Sequence, residues 1–347
     1  MADVRRYVRD AGERGGVPEG QIDLFVSSFV DADLRGVETH GIARIPAYVR
    51  AFLEGIVNPA PLLSVLHDNG ASLHLDADNG LGMVVGQLAM DRAVERAASF
   101  GVGAVSVRNS NHAGMLAIHV QRATSQGMLG FFTSGGVAIM PAWGGADQVL
   151  GNGPFAWGMP TRSSFPIIVD MASSVVARGK IRSLAMEGKP IPEGWALDAD
   201  GHPTRDASAA MQGVVLPMAG HKGSGLAVAL EIVSSVLSGS SLAVDAPRDF
   251  LREGARRLDS WKIGHFALAL NPDAFAGSDV FAEILGRLEI SITDSRRAAG
   301  VTRIVLPGQI EAETQAERLR SGIPISSRVL ESLNNFAEEI GIRPISR

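Results

Sequence analysis

Ser106-Val107-Arg108-Asn109-Ser110-Asn111-His112-Ala113-Gly114-Met115 is the stretch on which the reading of this chain turns. Before its polar part, Val102 to Val107 is a short apolar run that reads as a buried strand. After it, Leu116 to Ala123 reads as a helix, with Ile118 and Val120 among its apolar positions. A polar loop bearing one histidine therefore leaves the carboxyl end of a strand, where α/β proteins meet their ligands. Histidine moves protons near neutral pH. Taken alone, though, a loop histidine is more commonly a satisfied or merely exposed side chain.

Outward from this stretch, strand-like and helix-like segments alternate. Ser72 to Leu75 is followed by a helix from Met83 to Phe100, the strand Val102 to Val107, a helix from Met115 to Ser125 and a strand from Met128 to Thr133. Such alternation predicts an α/β layered core. Phe165 to Asp170 reads as another buried strand, with Ser173-Ser174 beyond its end, and Ile263 to Leu270 as a further one. Pro141 to Pro160 is rich in glycine and proline and reads as irregular chain around short extended pieces. Glu187 to Thr204 is a surface excursion whose Asp198-Ala199-Asp200-Gly201 is a turn signal and lacks the acidic spacing of a calcium loop. Towards the N-terminus, Val17-Pro18-Glu19 opens a helix closed at Gly36, and Ile45 to Leu53 forms a second that ends at Gly55. From Thr302 onward the pattern predicts a strand over Arg303 to Leu306, a Pro307-Gly308 break and two amphipathic helices. The expected organisation is a helical region over 1–71, packed with a C-terminal return over 300–347, around an α/β cofactor-binding and catalytic core over 72–299.

Bulk properties exclude several function classes. A chain of 347 residues, 46% hydrophobic and 20% charged, has the composition of an ordinary globular protein with a large core. Its net charge of −5, without a long basic run, argues against nucleic acid as a partner. The absence of cysteine removes disulfides, thiolate catalysis and Cys-type zinc sites, and fits a reducing compartment. The first sixteen residues are charged throughout and lack the apolar core of a signal peptide. Leu226 to Leu237, the most apolar long stretch, contains Glu231 and is too short to span a bilayer. A cytoplasmic protein with no membrane partner is expected.

Few motifs carry chemistry by themselves. Gly151-Asn152-Gly153-Pro154-Phe155-Ala156 matches G-x-G-x-x-A in letters, but Pro154 and Gly158-Met159-Pro160 forbid the helix that the dinucleotide fingerprint needs, so an ordinary Rossmann domain is rejected. There is neither a P-loop nor a G-x-S-x-G elbow. Gly220-His221-Lys222-Gly223-Ser224-Gly225 precedes a helix. It fits either a phosphate held by backbone N–H groups and Lys222, or a glycine-rich turn with Lys222 in solvent. His40 and Arg44, four apart at a helix entry, face one space or merely decorate a solvated helix start. His112 and His119 lie seven apart with no acidic partner at ligand spacing, so no metal is expected.

Six ordered segments carry a resemblance: Thr39-His40-Gly41-Ile42-Ala43-Arg44, Asn109-Ser110-Asn111-His112, Leu150-Gly151-Asn152-Gly153-Pro154, Asp170-Met171-Ala172-Ser173-Ser174, Gly194-Trp195-Ala196-Leu197-Asp198 and Gly220-His221-Lys222-Gly223. From about residue 20 to about residue 325 the chain resembles the malate/L-lactate dehydrogenase family of the non-Rossmann type. That family also holds ureidoglycolate and sulfolactate dehydrogenases and the reductases of Δ1-piperideine-2-carboxylate and Δ1-pyrroline-2-carboxylate. The resemblance implies an NAD- or NADP-dependent oxidoreductase with its own α/β fold, working as a homodimer on a small 2-oxo or 2-hydroxy acid. It implies His112 as proton donor or acceptor, and His40, Arg44 and Asn111 as substrate-binding residues. Ser134, Asp170, Met171, Ala172, His221, Lys222 and Gly223 would bind the cofactor. These roles are chemically coherent. Reduction at C2 needs a proton for the developing alkoxide, and a carboxylate is well held by the paired N–H groups of an arginine.

The sequence also departs from the family pattern. Gly151-Asn152-Gly153-Pro154 stands where Gly-Thr-Asn-Pro is usual, Thr39 replaces a serine, and Ala113 replaces an aromatic residue beside His112. Gly223-Ser224 replaces Gly-Tyr, a form associated with the cyclic-imine reductases. Reduction of a cyclic 2-imino acid is therefore an alternative reading, and a catalytically silent nucleotide-binding homologue is another.

Overall fold

The structure, a computed structural model, describes residues 2–247 and 262–346. Three helices open the chain: α1 (Ala2–Arg14), α2 (Glu19–Leu34) and α3 (Ile45–Leu53). Then follow β1 (Ser64–Asp68), β2 (Ser72–Gly80), α4 (Gly82–Phe100), β3 (Val102–Ser110), α5 (Ala117–Thr124) and β4 (Leu129–Ser134). The middle of the chain gives β5 (Phe155–Met159), β6 (Ile167–Met171), α6 (Arg178–Met186), β7 (Ala196–Leu197), α7 (Ala207–Gln212), β8 (Val214–Val215) and α8 (His221–Glu231). The chain then runs through β9 (Ile263–Leu270), α9 (Ser278–Thr293), α10 (Gln309–Ser321) and α11 (Ser327–Ile340).

Seven strands form one mixed sheet in the order β1-β2-β3-β9-β4-β5-β6. The fold is mixed α/β, as the alternating pattern predicts, and the strand order is not the 3-2-1-4-5-6 of a Rossmann sheet. β2 and β3 are parallel, and β9 runs antiparallel between β3 and β4. β5 is antiparallel to both β4 and β6, so β2, β3, β4 and β6 all point the same way. Their carboxyl ends, at Gly80, Ser110, Ser134 and Met171, therefore share one edge of the sheet, and β9 begins at that same edge with Ile263.

Helix α4 lies close against this sheet because its inner stripe is made of small residues: Gly82, Gly86, Ala89, Ala93 and Ala97 are all buried. A Cβ on Gly103 of β3 would sit 1.9 Å from the Ala93 carbonyl oxygen. Leu75, Ala77, Val105, Val107, Phe132, Ala267 and Ala269 join α4 and α5 in one apolar cluster. A second cluster unites α1, α2, α3 and α11 through Tyr7, Phe25, Phe29, Tyr48, Leu333 and Phe336. The Tyr7 hydroxyl donates to the Leu333 carbonyl at 2.8 Å, fastening the first helix to the last.

Several sequence expectations are corrected here. The charged N-terminal segment is a helix, because Val4, Tyr7, Val8 and Ala11 form a buried stripe among its charges. Arg303 to Leu306 is not a strand: the chain there meets the sheet through a single backbone bond, Ile168 N–H to the Pro307 carbonyl. The Gly220 to Gly225 segment does not precede its helix but is mostly inside it, since α8 starts at His221 and passes into a π-turn over Ile232–Val236. Strand β1 and helix α9 were not predicted at all. The Asp198–Gly201 turn is closed by the Asp198 carboxylate accepting from the N–H groups of Asp200 and His202, as a turn signal requires.

Truncating Leu333, which is 0% exposed between α1 and α3, tests the second cluster. Leu333→Ala is expected to lower stability by about 2–5 kcal/mol in urea unfolding, whereas exposed Ser332→Ala changes it by less than about 0.5 kcal/mol.

Candidate active site

The site begins with Asp33, buried near the end of α2. Its carboxylate accepts the Ile42 N–H at 2.8 Å, and a Cβ on Gly41 would lie 1.8 Å from its Oδ1. Only glycine fits there, so Asp33 grips the two short 3-10 turns, Glu38–His40 and Ile42–Arg44, that carry the predicted substrate residues. Burial raises the Asp33 pKa to about 6. Arg318 of α10 clamps the same turn from outside, donating to the Asp33 carbonyl and to the Glu38 carboxylate.

From the other side, the end of β3 delivers His112. Asn109 adopts a left-handed φ of 57°, and the Asn111 amide then donates to the Asn79 carbonyl and Asn79 Oδ1, both at 3.0 Å, and to the Gly80 carbonyl at 3.2 Å. Asn111 is fully buried, so its side chain ties β3 to β2 and fixes the root of the His112 loop. A Cβ on Gly82 would sit 2.1 Å from the Asn111 carbonyl oxygen, so the first turn of α4 presses directly on that loop.

The two halves meet ring to ring. His40 and His112 stack with centroids 5.6 Å apart and planes 11° from parallel. The Tyr48 hydroxyl lies 2.8 Å from His112 Nδ1, and the Gly114 N–H reaches the same nitrogen at 3.2 Å. Arg44 sets its guanidinium 5.8 Å from the centre of the Tyr48 ring, and the Thr39 hydroxyl lies 2.9 Å from His40 Nδ1. His40, Arg44 and His112 are thus brought together, and Tyr48 joins them.

Burial dominates the electrostatics. It holds His112 well below the ordinary histidine range, with His40, Arg44 and His265 adding positive repulsion. It lowers His40 to about 4, again with help from Arg44. Both rings are therefore neutral near pH 7, and an arriving anion shifts them back towards protonation.

Behind this group lies a buried histidine that sequence reasoning missed. His265 contacts Ser134 Oγ at 3.0 Å through Nδ1 and Ser110 Oγ at 2.9 Å through Nε2. Burial lowers it to about 3. Predicted cofactor residue Ser134 is itself buried, so its hydroxyl belongs to this internal chain of bonds.

A cavity of 580 Å³ opens beside His40, walled by Gly114 to Ala117, by Asp170, Met171 and Ala172, and by Pro307, Gly308 and Glu311. The Asp170 carboxylate faces this space, and one oxygen accepts the Ala117 N–H at 2.8 Å at the start of α5. Asp170 is exposed to this cavity, and desolvation by the surrounding walls, opposed by the Ala117 N–H and Arg35, raises its pKa to about 6. His221 and Lys222 stand exposed at the first turn of α8. That turn is stitched to the end of β6, with Met218 N–H donating to the Ser173 carbonyl and Val175 N–H to the Leu216 carbonyl. Gly223 is buried where a Cβ would come within 2.0 Å of the Met218 carbonyl oxygen, so it serves the turn.

Tyr48 was findable, being four residues after Arg44 on one helix face. His265 had a weaker signal, as a polar residue inside the apolar run Ile263 to Leu270.

The strand-end cavity, the stacked imidazoles and the neighbouring arginine together make up a candidate active site. The chain belongs to the malate/L-lactate dehydrogenase family, whose model matches residues 1–334. It is 33% identical over 338 residues to the L-sulfolactate dehydrogenase of Methanocaldococcus jannaschii, covering 97% of this chain and 96% of that protein. The solved structure of sulfolactate dehydrogenase from that organism superposes with a TM-score of 0.90 over 99% of this chain and 97% of that one. The malate dehydrogenase of Pyrococcus abyssi is 33% identical over 336 residues, 94% of this chain and 91% of that protein. The Δ1-piperideine-2-carboxylate reductase of Pseudomonas syringae is more distant, at 25% identity and a TM-score of 0.81 over 96% of this chain and 98% of that one.

A raised carboxyl is a cost to the folded protein at neutral pH. The folded form of Asp170 binds its proton more tightly than the unfolded chain, so stability is highest when it is protonated and falls as pH rises through about 6. Asp170→Asn is therefore expected to raise Tm relative to the native protein at pH 8, with the gap closing between about pH 6 and about pH 4. Thermal melts across that range check the sign.

Proposed function

We propose that this protein is a nicotinamide-dependent dehydrogenase of small 2-hydroxy acids of the malate or sulfolactate kind. The observation that carries this reading is the joint placement of His112, His40, Arg44 and Tyr48 at the carboxyl ends of β3 and its neighbours. A silent homologue would have no reason to keep all four together in one cluster.

The cavity beside His40 fits a nicotinamide dinucleotide chemically. Asp170 and Glu311 offer acceptors for ribose hydroxyls, and Met115, Leu116 and Met171 offer apolar wall for flat rings. Lys222, at the helix start stitched to β6, would serve a phosphate. When bound, the dinucleotide supplies the hydride acceptor or donor.

The chain's own residues supply the rest. Arg44 binds the substrate carboxylate through paired N–H groups and so fixes C2. His40 lines the same space and, being neutral, accepts or donates one hydrogen bond without adding repulsion to Arg44. The Tyr48 hydroxyl and the Gly114 N–H hold the His112 ring at Nδ1 and so fix its orientation. In the oxidative direction neutral His112 takes the C2 hydroxyl proton. In the reductive direction the anionic substrate raises its proton affinity, and the proton passes to the developing alkoxide.

His112→Ala is expected to lower kcat by about 10²–10⁴-fold in an NADH or NADPH absorbance assay with a panel of 2-oxo acids, leaving cofactor binding by fluorescence unchanged. Retention of full kcat on the best substrate would show that the proton role is misassigned.

A homodimer completes the proposal. Helix α9 has no buried residue, yet it presents Val280, Ile284, Leu288 and Ile290 at 46–61% exposure. Ile284 and Leu288, with Phe275, Phe281 and Leu285, line an apolar groove of 460 Å³. A second copy of the chain covers it in this reading. Sedimentation analysis is expected to give a dimer for the native protein and a shift towards monomer for Ile284→Asp.

A further inference from the structure

Arg35 closes helix α2 and is only 4% exposed. It lines the cavity that holds Asp170, Met171 and Ala172. Its Nε is sealed from solvent with no partner, and no hydrogen bond or ion pair to its guanidinium occurs among the described residues. Other half-buried arginines behave differently. Arg6 pairs with Asp3 and Asp10, Arg96 with Asp68, Arg122 with Asp91 and Arg318 with Glu38. Arg35 is more deeply placed than most of these and has none.

A guanidinium carries five N–H donors that cannot be shed by deprotonation. Leaving the sealed Nε–H without an acceptor is costly, and the terminal nitrogens have no protein partner among the described residues, so something else must complete the group. Glu311, Asp170 and Asp31 are near enough to offset part of the charge, but none pairs with it. The cavity wall thus combines one unsatisfied fork of donors with two carboxylates, Asp170 and Glu311, that accept hydroxyls. A phosphorylated ribose meets both demands, with an oxyanion for the arginine and hydroxyls for the carboxylates.

We propose that Arg35 is a phosphate-binding residue of the dinucleotide site, its guanidinium taking a phosphoryl oxygen while Asp170 and Glu311 take ribose hydroxyls. This rests on reading the cavity as the cofactor site. The phosphoryl group belongs either to the pyrophosphate shared by NADH and NADPH or to the 2′-phosphate of NADPH alone, and one experiment separates the two.

Full-length native protein, Arg35→Gln and Arg35→Lys are titrated with NADH and with NADPH by fluorescence, and each is melted without ligand. Arg35→Gln is expected to raise the cofactor Kd by about tenfold or more. Its ligand-free Tm should equal or exceed that of the native protein, because an unpaired buried charge has been removed. Arg35→Lys, which keeps the charge but not the fork, should fall between. A loss confined to NADPH assigns the 2′-phosphate, and an equal loss for both assigns the pyrophosphate. Unchanged Kd values, with or without a lower ligand-free Tm, overturn the proposal and make Arg35 structural. Native protein that binds neither cofactor overturns the dinucleotide reading and this inference together, whereas native binding matched by Arg35→Gln overturns the inference alone.

Discussion

The site depends on one bond, between the Tyr48 hydroxyl and His112 Nδ1 at 2.8 Å. Its two partners come from different apolar clusters. Tyr48 is fully buried in the helical cluster, packed 5.6 Å from Phe29, while His112 leaves the end of a central strand. Neither cluster alone holds both the His112 ring and the Arg44 guanidinium. The bond therefore registers the helical layer against the sheet edge, and the His40–His112 stack follows from that register. Asp33 and Asn111 act one step back, each spending a buried side chain to fix a short backbone turn.

Desolvation pushes four ionisable groups around this junction towards neutrality. Asp33 and Asp170 move up to about 6, His40 moves down to about 4 and His112 further below its ordinary range. A protein built only for stability would pair these groups or replace them with apolar ones. Concentrating them on one sheet edge is what a reaction that creates and removes charge at a single carbon requires, because a bound anion is then answered by groups already in place. The unpaired Arg35 belongs to the same pattern.

Strand–helix alternation in the sequence carried the sheet well. The predicted strand over Ile263 to Leu270 and the helix over Ile45 to Leu53 match the structure residue for residue, because apolar runs bounded by glycine or a polar turn report local geometry directly. Helix α1 escaped because four buried apolar side chains are diluted by charges, and α9 because, among the described residues, its apolar face stays largely exposed. The false strand over Arg303 to Leu306 shows the converse limit, since an apolar run becomes a strand only when a neighbour offers a ladder.

Sequence alone determined the chemistry on offer: one histidine at a strand end, a His40–Arg44 pair at helical spacing, no cysteine and no Rossmann fingerprint. These are matters of residue type and short spacing, which the chain states locally. Tertiary structure decided which of those residues meet. It placed β9 between β3 and β4, buried His265 between Ser110 and Ser134, set Tyr48 against His112 across 64 residues and left Arg35 facing a cavity without an acceptor. Contacts between segments far apart in the chain depend on packing and desolvation, and neither is written in any single stretch of sequence.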